Sequence, residues 1–476
     1  MIDTVRRRYL TDAWRDAEAT YPLRGPAADE VLAEIADCGP EEGRQAAAAA
    51  WDAFTRWRDT TAFERAEVLR RWHDLMLENR ELLASTMTRE MGKPIRESRG
   101  EVGYAAGFVR WYAEEAARAY GEVFPMASSD KRGLALRQPV GPVYGVTPWN
   151  FPAAMVTRKA APALAAGCTF VLKPAEQTPL TALLMAQLWL QAGGPEGTLQ
   201  VLTTDDPGPL SEALMEDPRI RKVTFTGSTE VGRLLYRQSA ETIKKISLEL
   251  GGHAPFLVFD DADLDQAVRE TIACKFRNAG QTCVCTNRIY VQEGIAEAFT
   301  QRYVDAAQDL TLGDPEDDAT DVGPLVNQAG LAKVREHVRD AIEHGAQLRL
   351  GGEERGGLYY VPTVLTGVTT DMKLMHEETF GPVAPILTFS DEAEAVRLAN
   401  DTPYGLASYL YTSDLGRAWR VAEALEYGIV GVNDGVPSAP YAPFGGVKQS
   451  GIGREGGPWG LDEYLEIKYV SMGLPG

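Results

Sequence analysis

The feature that most constrains the fold is an alternation of short β-rich runs with helical stretches, which begins near residue 140. The first predicted strands cover residues 140–147, 169–173, 199–203, 222–226 and 245–250. Helical stretches separate most of them. Such alternation is typical of βαβ units and predicts a parallel sheet with helices on its faces.

A second block of the same kind has predicted strands at 254–259, 288–291, 383–389, 408–411 and 429–432, and helices at 391–400 and 414–425. Upstream, residues 41–118 predict helices. Apolar residues there recur at helical spacing, as in Trp51, Phe54 and Trp57. The length of 476 residues indicates two or three domains. The best boundary lies at residues 251–252, where two glycines follow a predicted strand and free the backbone.

Charge and cysteine content limit the partners and the compartment. The formal net charge of -20 argues against a general nucleic-acid or anionic membrane surface. The five cysteines, Cys38, Cys168, Cys274, Cys283 and Cys285, are few and odd in number, which favours a reducing compartment. No apolar run approaches the roughly 18–20 residues of a membrane helix, and residues 6–8 (RRR) precede no apolar signal region. We therefore expect a cytoplasmic protein without nucleic-acid or membrane partners.

The histidines do not predict a metal site. The chain has His73, His253, His337, His344 and His376, none of them in an HExxH motif. No CxxC pair is present to hold zinc. We therefore expect no metal cofactor.

Residues 280–285 (GQTCVC) form a polar, glycine-led loop between a predicted helix and a predicted strand. Such a loop is a poor place for a packing cysteine and a good place for a reactive thiol. Considered alone, Cys283 and Cys285 fit two ordinary thiols equally well.

Glu249 ends a predicted strand and is flanked by Leu248 and Leu250. Partial desolvation there would raise the pKa of its carboxyl towards that of a useful general base. A surface-facing strand glutamate is the alternative. The double glycine that follows favours a functional role, because it lets another molecule approach closely.

Two further segments suit a nucleotide. Residues 225–232 run from a strand into a helix with Ser228 as N-cap, which exposes backbone N–H groups that suit a pyrophosphate. Lys173 and Glu176 follow another strand, where sheets of this type contact a ribose. The GxGxxG fingerprint is absent, so residues 225–232 also fit an ordinary helix start. Lys173 and Glu176 also fit a surface ion pair.

Taken together and in order, seven segments resemble the aldehyde dehydrogenase family. They are 147–152 (TPWNFP), 173–176 (KPAE), 225–232 (FTGSTEVG), 248–252 (LELGG), 280–283 (GQTC), 377–382 (EETFGP) and 443–446 (PFGG). The resemblance implies that Cys283 attacks an aldehyde as a thiolate. It also implies an oxyanion hole formed by the Asn150 amide and the Cys283 backbone N–H. Glu249 would activate the water that hydrolyses the thioester, and Glu455 resembles a glutamate linked to proton relay.

The same resemblance implies an NAD(P) site. The implied contacts are Thr147, Pro148, Trp149, Lys173, Glu176, Gly227, Ser228, Gly232, Glu378 and Phe380. The Glu176 carboxylate would repel a 2′-phosphate and so favours NAD over NADP. The neighbouring Lys173 softens that preference and leaves NADP use open.

Arg158 and Arg277 indicate the substrate. Members of the family that take apolar aldehydes usually have aromatic residues at these two places. Two guanidinium groups beside a substrate tunnel need an anion, which a carboxylate supplies through bidentate bonds. With Ser438 as a third donor, the set resembles succinate-semialdehyde dehydrogenases, and glutarate semialdehyde or another ω-oxo acid is the alternative. Cys285 is a candidate partner of Cys283 in a reversible disulfide, as in some relatives.

The resemblance further implies an α/β fold of three parts. Residues 1–118 and 140–251 would form a Rossmann-like cofactor domain, and residues 252–449 an α/β catalytic domain. Residues 119–139 and 450–476 would form a small β oligomerisation arm. An exposed strand invites pairing with another chain, so we expect a homodimer or homotetramer.

Two other functions compete with oxidation of a carboxylated aldehyde. A CoA-acylating or a non-phosphorylating phosphorylated-aldehyde dehydrogenase would share the fold, but CoA acylation replaces the base that Glu249 supplies. A non-catalytic binding member would be damaged at Cys283, Glu249 or Asn150, and all three are intact.

Overall fold

The computed structural model describes residues 5–474, so residues 1–4 and 475–476 of the predicted domain ranges lie outside the described residues. The first strands are β1 (Arg8–Leu10), β2 (Trp14–Asp16), β3 (Thr20–Arg24) and β4 (Val31–Ala36). The helices that follow are α1 (Pro40–Trp57), α2 (Ala62–Glu78), α3 (Arg80–Met91) and α4 (Ile95–Glu115). The helical prediction for residues 41–118 is therefore confirmed.

Local sequence sets the ends of these helices. Thr61 caps α2, since its Oγ1 accepts a hydrogen bond from Glu64 N at 3.2 Å and the Glu64 carboxylate accepts one from Thr61 N at 2.7 Å. This reciprocal cap satisfies two backbone donors that a helix start leaves free. Helix α3 ends at Gly92, whose φ of 88° is left-handed and suits glycine.

The strands β5 (Glu122–Phe124) and β6 (Lys131–Pro139) lead into the first α/β region. That region contains β7 (Val143–Val146), α5 (Ala154–Ala166), β8 (Phe170–Lys173), α6 (Pro179–Gln191), β9 (Leu199–Val201), α7 (Pro207–Glu216), β10 (Lys222–Thr226), α8 (Thr229–Ala240) and β11 (Lys245–Glu249). All five strands predicted here are present, with ends that differ by a few residues.

The second α/β region contains β12 (Ala254–Val258), α9 (Leu264–Phe276), β13 (Thr286–Gln292), α10 (Ala296–Gln308), α11 (Gln328–Glu343), β14 (Gln347–Leu350), β15 (Thr363–Thr366), β16 (Val383–Phe389), α12 (Glu392–Asn400), β17 (Ala407–Tyr411), α13 (Leu415–Ala424) and β18 (Ile429–Val432). The last elements are β19 (Gly451–Ile452), α14 (Gly457–Asp462) and β20 (Leu465–Gly473). The five predicted strands and two predicted helices of this block are confirmed.

The first region forms an eight-stranded sheet in the order β19-β11-β10-β7-β8-β9-β1-β2. The strands β11, β10, β7, β8 and β9 are parallel to one another, as predicted. Their register places Thr226 beside Glu249 and Val146 beside Lys173. The segments that follow these strands therefore meet at the carboxyl edge of the sheet, where open α/β sheets bind ligands.

The second region forms a seven-stranded sheet in the order β14-β15-β16-β13-β12-β17-β18. Its strands are parallel from β15 to β18, and β14 is antiparallel to β15. Each of the two regions buries its own large apolar cluster. Cys283 lies in the loop that leads into β13 of this second sheet.

The predicted arm is a three-stranded antiparallel sheet in the order β20-β6-β5. Strand β20 pairs with β6 in a register that places Leu465 opposite Pro139. Apolar side chains on this sheet are exposed, including Val123 at 76% and Ile467 at 74%. Exposed apolar strands suit pairing with another chain, and the oligomer stays a prediction.

No helix within residues 5–474 is long and apolar enough to cross a membrane. In the same part of the chain no group of three or more His, Cys, Asp or Glu side chains could hold a metal ion. His253 is buried, with its Nε2 3.0 Å from the Leu374 carbonyl oxygen.

Candidate active site

Cys283 follows a strained turn between α9 and β13. In this turn Asn278 (φ 52°), Ala279 (φ 54°) and Gly280 (φ 74°) are successively left-handed. Such a conformation costs of order 1–3 kcal/mol at a residue other than glycine and persists only where its surroundings hold it. Here Asn278 Nδ2 donates to the Gln281 carbonyl at 3.2 Å, and Gln281 N donates to the Asn278 carbonyl at 3.0 Å. The local hydrogen bonds therefore fix the chain just ahead of Cys283.

The Cys283 side chain lies between two cavities. The first, of about 330 Å³, has among its lining residues Tyr104, Phe151, Arg158, Arg277, Ser438 and Phe444. The second, of about 260 Å³, has among its lining residues Trp149, Asn150, Gly227, Ser228, Glu378 and Phe380. Because Cys283 lines both cavities, it can contact the occupant of each.

The surroundings of the Cys283 thiol favour its neutral form. Burial, and then the charge of Glu249, raise the pKa of this thiol to about 12, against an opposing effect of Arg158. The resemblance implies that Cys283 attacks as a thiolate. A nearby cation or helix N-terminus is what lowers the pKa of a reactive thiol. Desolvation outweighs the arginine here, so the thiolate must be generated by a base.

Glu249 lies at the end of β11 and is 4% exposed. Among the described residues neither of its carboxyl oxygens has a hydrogen-bond partner. Burial, and then the charge of Glu455, raise the pKa of Glu249 to about 8, which confirms the predicted direction. A carboxyl with free oxygens and a near-neutral pKa can take a proton from a thiol or from water.

Two glycines make room for these groups. A Cβ at Gly252 would lie 2.3 Å from the carbonyl oxygen of Cys283, and one at Gly445 would lie 3.0 Å from Oε1 of Glu249. The φ angles at residues 251–252 are not left-handed. Of the two predicted reasons for the glycines at 251–252, backbone freedom is therefore wrong. The other, close approach of a neighbouring group, agrees with the contact at Gly252.

Asn150 lines the second cavity and is 3% exposed. Its Nδ2 donates one hydrogen bond to the Gln281 carbonyl at 3.1 Å. Its backbone carbonyl accepts from Lys93 Nζ at 2.7 Å and from Asn278 Nδ2 at 3.1 Å. A side-chain amide has two N–H groups. Among the described residues only one of them has an acceptor, so the second is available to a ligand.

The second cavity brings together most of the predicted cofactor contacts. These are Pro148, Trp149, Gly227, Ser228, Glu378 and Phe380. Ser228 is the N-cap of α8, as predicted, and its Oγ accepts from Val231 N at 3.3 Å. The first-turn N–H groups of α8 have no intrahelical acceptors and suit a phosphate.

The walls of this cavity also fit a nicotinamide and its ribose. Glu378 is anchored by Gly252 N, which donates to its Oε1 at 3.1 Å, and burial raises the pKa of Glu378 to about 7. The rings of Trp149 and Phe380 meet edge to face with centroids 5.5 Å apart. Together they offer an apolar wall next to polar acceptors and helix-end donors, the chemistry that a dinucleotide requires.

The other predicted cofactor contacts, Thr147, Lys173, Glu176 and Gly232, do not line this cavity. Thr147 N donates to the Lys173 carbonyl at 3.2 Å, and Lys173 forms an ion pair with Glu176. These three residues continue along the carboxyl edge of the same sheet. A Cβ at Gly232 would lie 2.3 Å from Leu250 Cδ2, so this glycine allows α8 to pack closely. Its role as a cofactor contact stays a prediction.

Arg158, on α5, and Arg277, just after α9, both line the first cavity with Ser438, as predicted. Within residues 5–474 the buried Nε of each arginine has no hydrogen-bond partner. The Arg277 guanidinium carbon lies 5.5 Å from the centre of the Phe151 ring. The cavity therefore contains cationic donors that the described chain leaves unsatisfied.

Arg158 differs from the prediction because the protein itself supplies an anion. Its guanidinium lies 2.9 Å from the Glu455 carboxylate, which also forms an ion pair with Lys159. All three side chains are almost completely buried. Arg277, by contrast, forms no salt bridge within the described chain, so its charge has the greater need of a ligand.

Sequence reasoning missed several residues around these cavities. Tyr104 and Glu97, on α4, line the first cavity, and Lys93, just ahead of α4, contacts the Asn150 carbonyl. The available signal was the spacing of Lys93, Glu97 and Glu101 at every fourth position. That spacing usually indicates solvated ion pairs on a helix surface.

Cys285, the predicted redox partner, is buried, and its Sγ lies 3.3 Å from Lys275 Nζ. Burial raises the pKa of the Cys285 thiol, and Lys275 opposes that effect. Within residues 5–474 all the cysteines are free thiols. The Cys283–Cys285 disulfide stays a prediction.

Comparison with known proteins agrees with this geometry. The sequence profile of the aldehyde dehydrogenase family matches residues 14–470. Mitochondrial succinate-semialdehyde dehydrogenase of Arabidopsis thaliana is 53% identical over 464 residues, which cover 97% of this chain and 88% of that protein. Glutarate-semialdehyde dehydrogenase of Pseudomonas putida is 50% identical over 471 residues, 98% of each chain. The crystal structure of an E. coli NADP-dependent enzyme matches with a TM-score of 0.98 and 50% identity over 99% of both chains. The chain therefore belongs to the aldehyde dehydrogenase family of NAD(P)-dependent oxidoreductases.

Proposed function

We propose that the protein oxidises succinate semialdehyde to succinate with NAD(P), through a thioester on Cys283. The observation that carries the proposal is the half-buried Arg277, which forms no salt bridge within residues 5–474, beside the buried Arg158 in a cavity that Cys283 lines. Their Nε–H groups have no acceptors among the described residues. Buried cationic donors need an anionic partner, and a carboxylate at the far end of the aldehyde would supply one.

A short ω-oxo acid suits this cavity. Ser438 lines it and adds a hydroxyl that can donate a third hydrogen bond to the carboxylate. Relatives named for succinate semialdehyde and for glutarate semialdehyde are 53% and 50% identical to the chain. Glutarate semialdehyde, one methylene longer, is therefore the second candidate. A methylene changes kcat/KM by about 10- to 200-fold, so kinetics would separate the two.

In the first half-reaction Glu249 takes the proton of the neutral Cys283 thiol. The sulfur attacks the aldehyde carbon, a C–S bond forms, and the carbonyl π electrons move to oxygen. That oxyanion accepts hydrogen bonds from the Asn150 amide and the Cys283 backbone N–H, each contributing about 3–4 kcal/mol of barrier lowering. The residues that line the second cavity would hold a nicotinamide, which would supply the hydride acceptor for oxidation of the thiohemiacetal to a thioester.

In the second half-reaction Glu249 activates water. Its free carboxyl oxygens give a water molecule an acceptor next to the thioester carbon. Glu249 first releases to solvent the proton that it took from the thiol, and then takes a proton from the water as the oxygen attacks the thioester carbonyl. The C–S bond breaks to release the acid, and the leaving thiolate accepts the proton from Glu249, which regenerates Cys283. Because the pKa of Glu249 is raised to about 8, this step should accelerate as the pH rises through that value.

For the cofactor we expect NAD to be preferred and NADP to be accepted. The Glu176 carboxylate would repel the 2′-phosphate of NADP. Lys173 forms an ion pair with that carboxylate and so weakens the repulsion. The similar E. coli enzyme, described as NADP dependent, supports use of NADP as well.

We also propose the three-part domain division and the cytoplasmic location predicted from the sequence. The exposed apolar strands β5, β6 and β20 support a role of the arm in homodimer or homotetramer formation. Light scattering of the intact chain, and of a variant with Ile467→Lys on the arm, measures the assembly. An unchanged mass in the variant would count against this role.

The direct test is formation of reduced cofactor across a panel of aldehydes, with NAD and with NADP. The panel contains succinate and glutarate semialdehydes, their methyl esters and the unbranched aldehydes of equal length. We expect the highest kcat/KM for succinate semialdehyde and a large loss on esterification, since the ester cannot accept two charge-assisted bonds. Equal activity on acid and ester would reject the proposal.

A further inference from the structure

Three charged side chains lie at the start of α4 or just ahead of it, and two of them, Lys93 and Glu101, are buried where such side chains are usually solvated. Lys93, Glu97 and Glu101 follow one another at every fourth position. Lys93 is 1% exposed and Glu101 is 4% exposed. A buried ion pair is weak grounds for stability, because desolvation offsets its attraction. The contacts of this pair therefore suggest a different role.

Lys93 and Glu101 hold both ends of the segment that carries Asn150. Lys93 Nζ forms an ion pair with Glu101 and donates to the Asn150 carbonyl at 2.7 Å. Glu101 Oε1 accepts from Ala153 N at 2.9 Å and from Ala154 N at 3.1 Å. The pair thus forms hydrogen bonds with one backbone carbonyl oxygen before α5 and with two backbone N–H groups at the beginning of α5.

Glu97 ties the same helix to the turn ahead of Cys283. Its two carboxyl oxygens accept from Asn278 N at 2.9 and 3.1 Å. The Asn278 side chain in turn donates to the Asn150 carbonyl at 3.1 Å. The Asn150 carbonyl is therefore a shared acceptor for groups from α4 and from the Cys283 loop.

This geometry matters because an oxyanion donor must be held closely. Hydrogen-bond stabilisation in an active site requires the donor to lie within about 0.5 Å of its productive position. One N–H of the Asn150 side-chain amide donates to the Gln281 carbonyl. The direction of the second N–H therefore depends on where the backbone of residue 150 is held. Lys93 and Asn278 are the groups that contact that backbone carbonyl.

We propose that Lys93 and Glu101 are positioning residues, which hold Asn150 so that its free amide N–H meets the aldehyde oxygen at Cys283. The inference rests on the proposed role of Asn150 as an oxyanion donor. It assigns the buried pair to the acylation step through Asn150, and not to bonding of the substrate carboxylate, although Glu101 also lines the first cavity.

A double-mutant cycle tests it in the full-length enzyme. The variants are Lys93→Met, Glu101→Gln and Asn150→Ala, together with Lys93→Met/Asn150→Ala and Glu101→Gln/Asn150→Ala. Glu81→Gln, which removes an exposed ion pair with Arg99, is the matched control. The readouts are single-turnover formation of reduced cofactor, alkylation of Cys283 by iodoacetamide, and the thermal unfolding midpoint. Alkylation forms no oxyanion, so it reports an intact thiol site that is independent of Asn150.

The expected pattern is specific. Asn150→Ala should lower the single-turnover rate about 100- to 1,000-fold, and Lys93→Met or Glu101→Gln should lower it about 10- to 100-fold. Each double variant should match Asn150→Ala within about threefold, because the pair acts through the missing amide. Alkylation should stay within about threefold of the unmodified enzyme in every variant, and Glu81→Gln should behave as the unmodified enzyme.

Three results would overturn the inference. Losses that multiply in the double variants would mean that the pair acts independently of Asn150. Alkylation that falls in parallel with the single-turnover rate would mean a general structural role. If Lys93→Met does not fold, the Glu101→Gln cycle decides by the same criteria, since glutamine is close in shape to glutamate. If Asn150→Ala itself leaves the rate unchanged, the proposed oxyanion role fails first and the inference with it.

Discussion

Replacing Arg277 by methionine separates recognition of the carboxylate from the chemistry. Methionine keeps an unbranched apolar stem beside Phe151 and removes the guanidinium. A bidentate arginine–carboxylate pair contains two charge-assisted hydrogen bonds of about 1.5–3 kcal/mol each. Because Arg158 would still hold part of the carboxylate, the net loss should be about 3 kcal/mol. That loss corresponds to a roughly 150-fold fall in kcat/KM for succinate semialdehyde, mostly through KM.

Arg277 is a cleaner position for this experiment than Arg158. The Arg158 guanidinium lies 2.9 Å from Glu455, and it also lowers the pKa of Glu249. Its removal would leave a buried carboxylate with one partner fewer and would change the base as well as the substrate site. Arg277 forms no salt bridge in the described part of the chain. Its charge lowers the pKa of Glu97 and of Cys283 only as a lesser cause, so its loss disturbs the site less.

The assay is the initial rate of cofactor reduction with succinate semialdehyde, its methyl ester and butanal. For the two uncharged aldehydes Arg277→Met should stay within about threefold of the unmodified enzyme, because they lose no hydrogen bond. Arg277→Lys keeps the charge and loses the planar guanidinium. Its kcat/KM for succinate semialdehyde should therefore lie between those of the unmodified enzyme and Arg277→Met. Equal falls on all three substrates would refute the carboxylate site.

The remaining predictions concern the base, the substrate hydroxyl, the cofactor and the redox state. Because the pKa of Glu249 is raised to about 8, its basic form increases with pH, so the rate of thioester hydrolysis should rise through about pH 8 and then level off; a rate independent of pH there would exclude this base. Ser438→Ala removes one hydrogen bond of about 1 kcal/mol and should raise KM for succinate semialdehyde about fivefold, without effect on butanal. Glu176→Gln should increase kcat/KM with NADP relative to NAD, and an unchanged ratio would count against the predicted repulsion. Peroxide inactivation should be reversible by dithiothreitol and become irreversible in Cys285→Ala; the same reversibility in both proteins would exclude a Cys283–Cys285 disulfide.

Much of the fold follows from local sequence. The strands β10, β16 and β18 begin and end at the predicted residues, because short apolar runs there are bounded by polar or glycine-containing segments. Strand β7 begins later than predicted, at Val143, since Gly141 (φ 133°) and Pro142 interrupt the run before it. Elements with a strong local pattern were therefore predictable to within a few residues.

The chemistry of the site was predictable only in part. The motifs around Cys283, Glu249 and Asn150 identify the reacting groups, because each occurs in a short ordered segment. The ion pair between Arg158 and Glu455 could not be predicted, since the two residues come from distant parts of the chain and meet only in the folded protein.

Burial explains two further differences. The charge pattern of Lys93 and Glu101 is that of an exposed helix, and only packing against α5 reveals it as internal. The neutral Cys283 thiol likewise follows from desolvation, which outweighs the nearby arginine and which sequence spacing does not measure. Both are consequences of tertiary structure and not of local pattern.

The most direct test of the central claim is to trap the acyl group on Cys283. Glu249→Gln enzyme, mixed with succinate semialdehyde and NAD, is digested and its peptides are analysed by mass spectrometry. We expect one slow turnover of reduced cofactor and a succinyl group on the peptide that contains Cys283. The small fraction of thiolate present without the base still acylates slowly, whereas hydrolysis of the thioester lacks its base. Continued turnover, or a succinyl group on another cysteine with Cys283 unmodified, would contradict it.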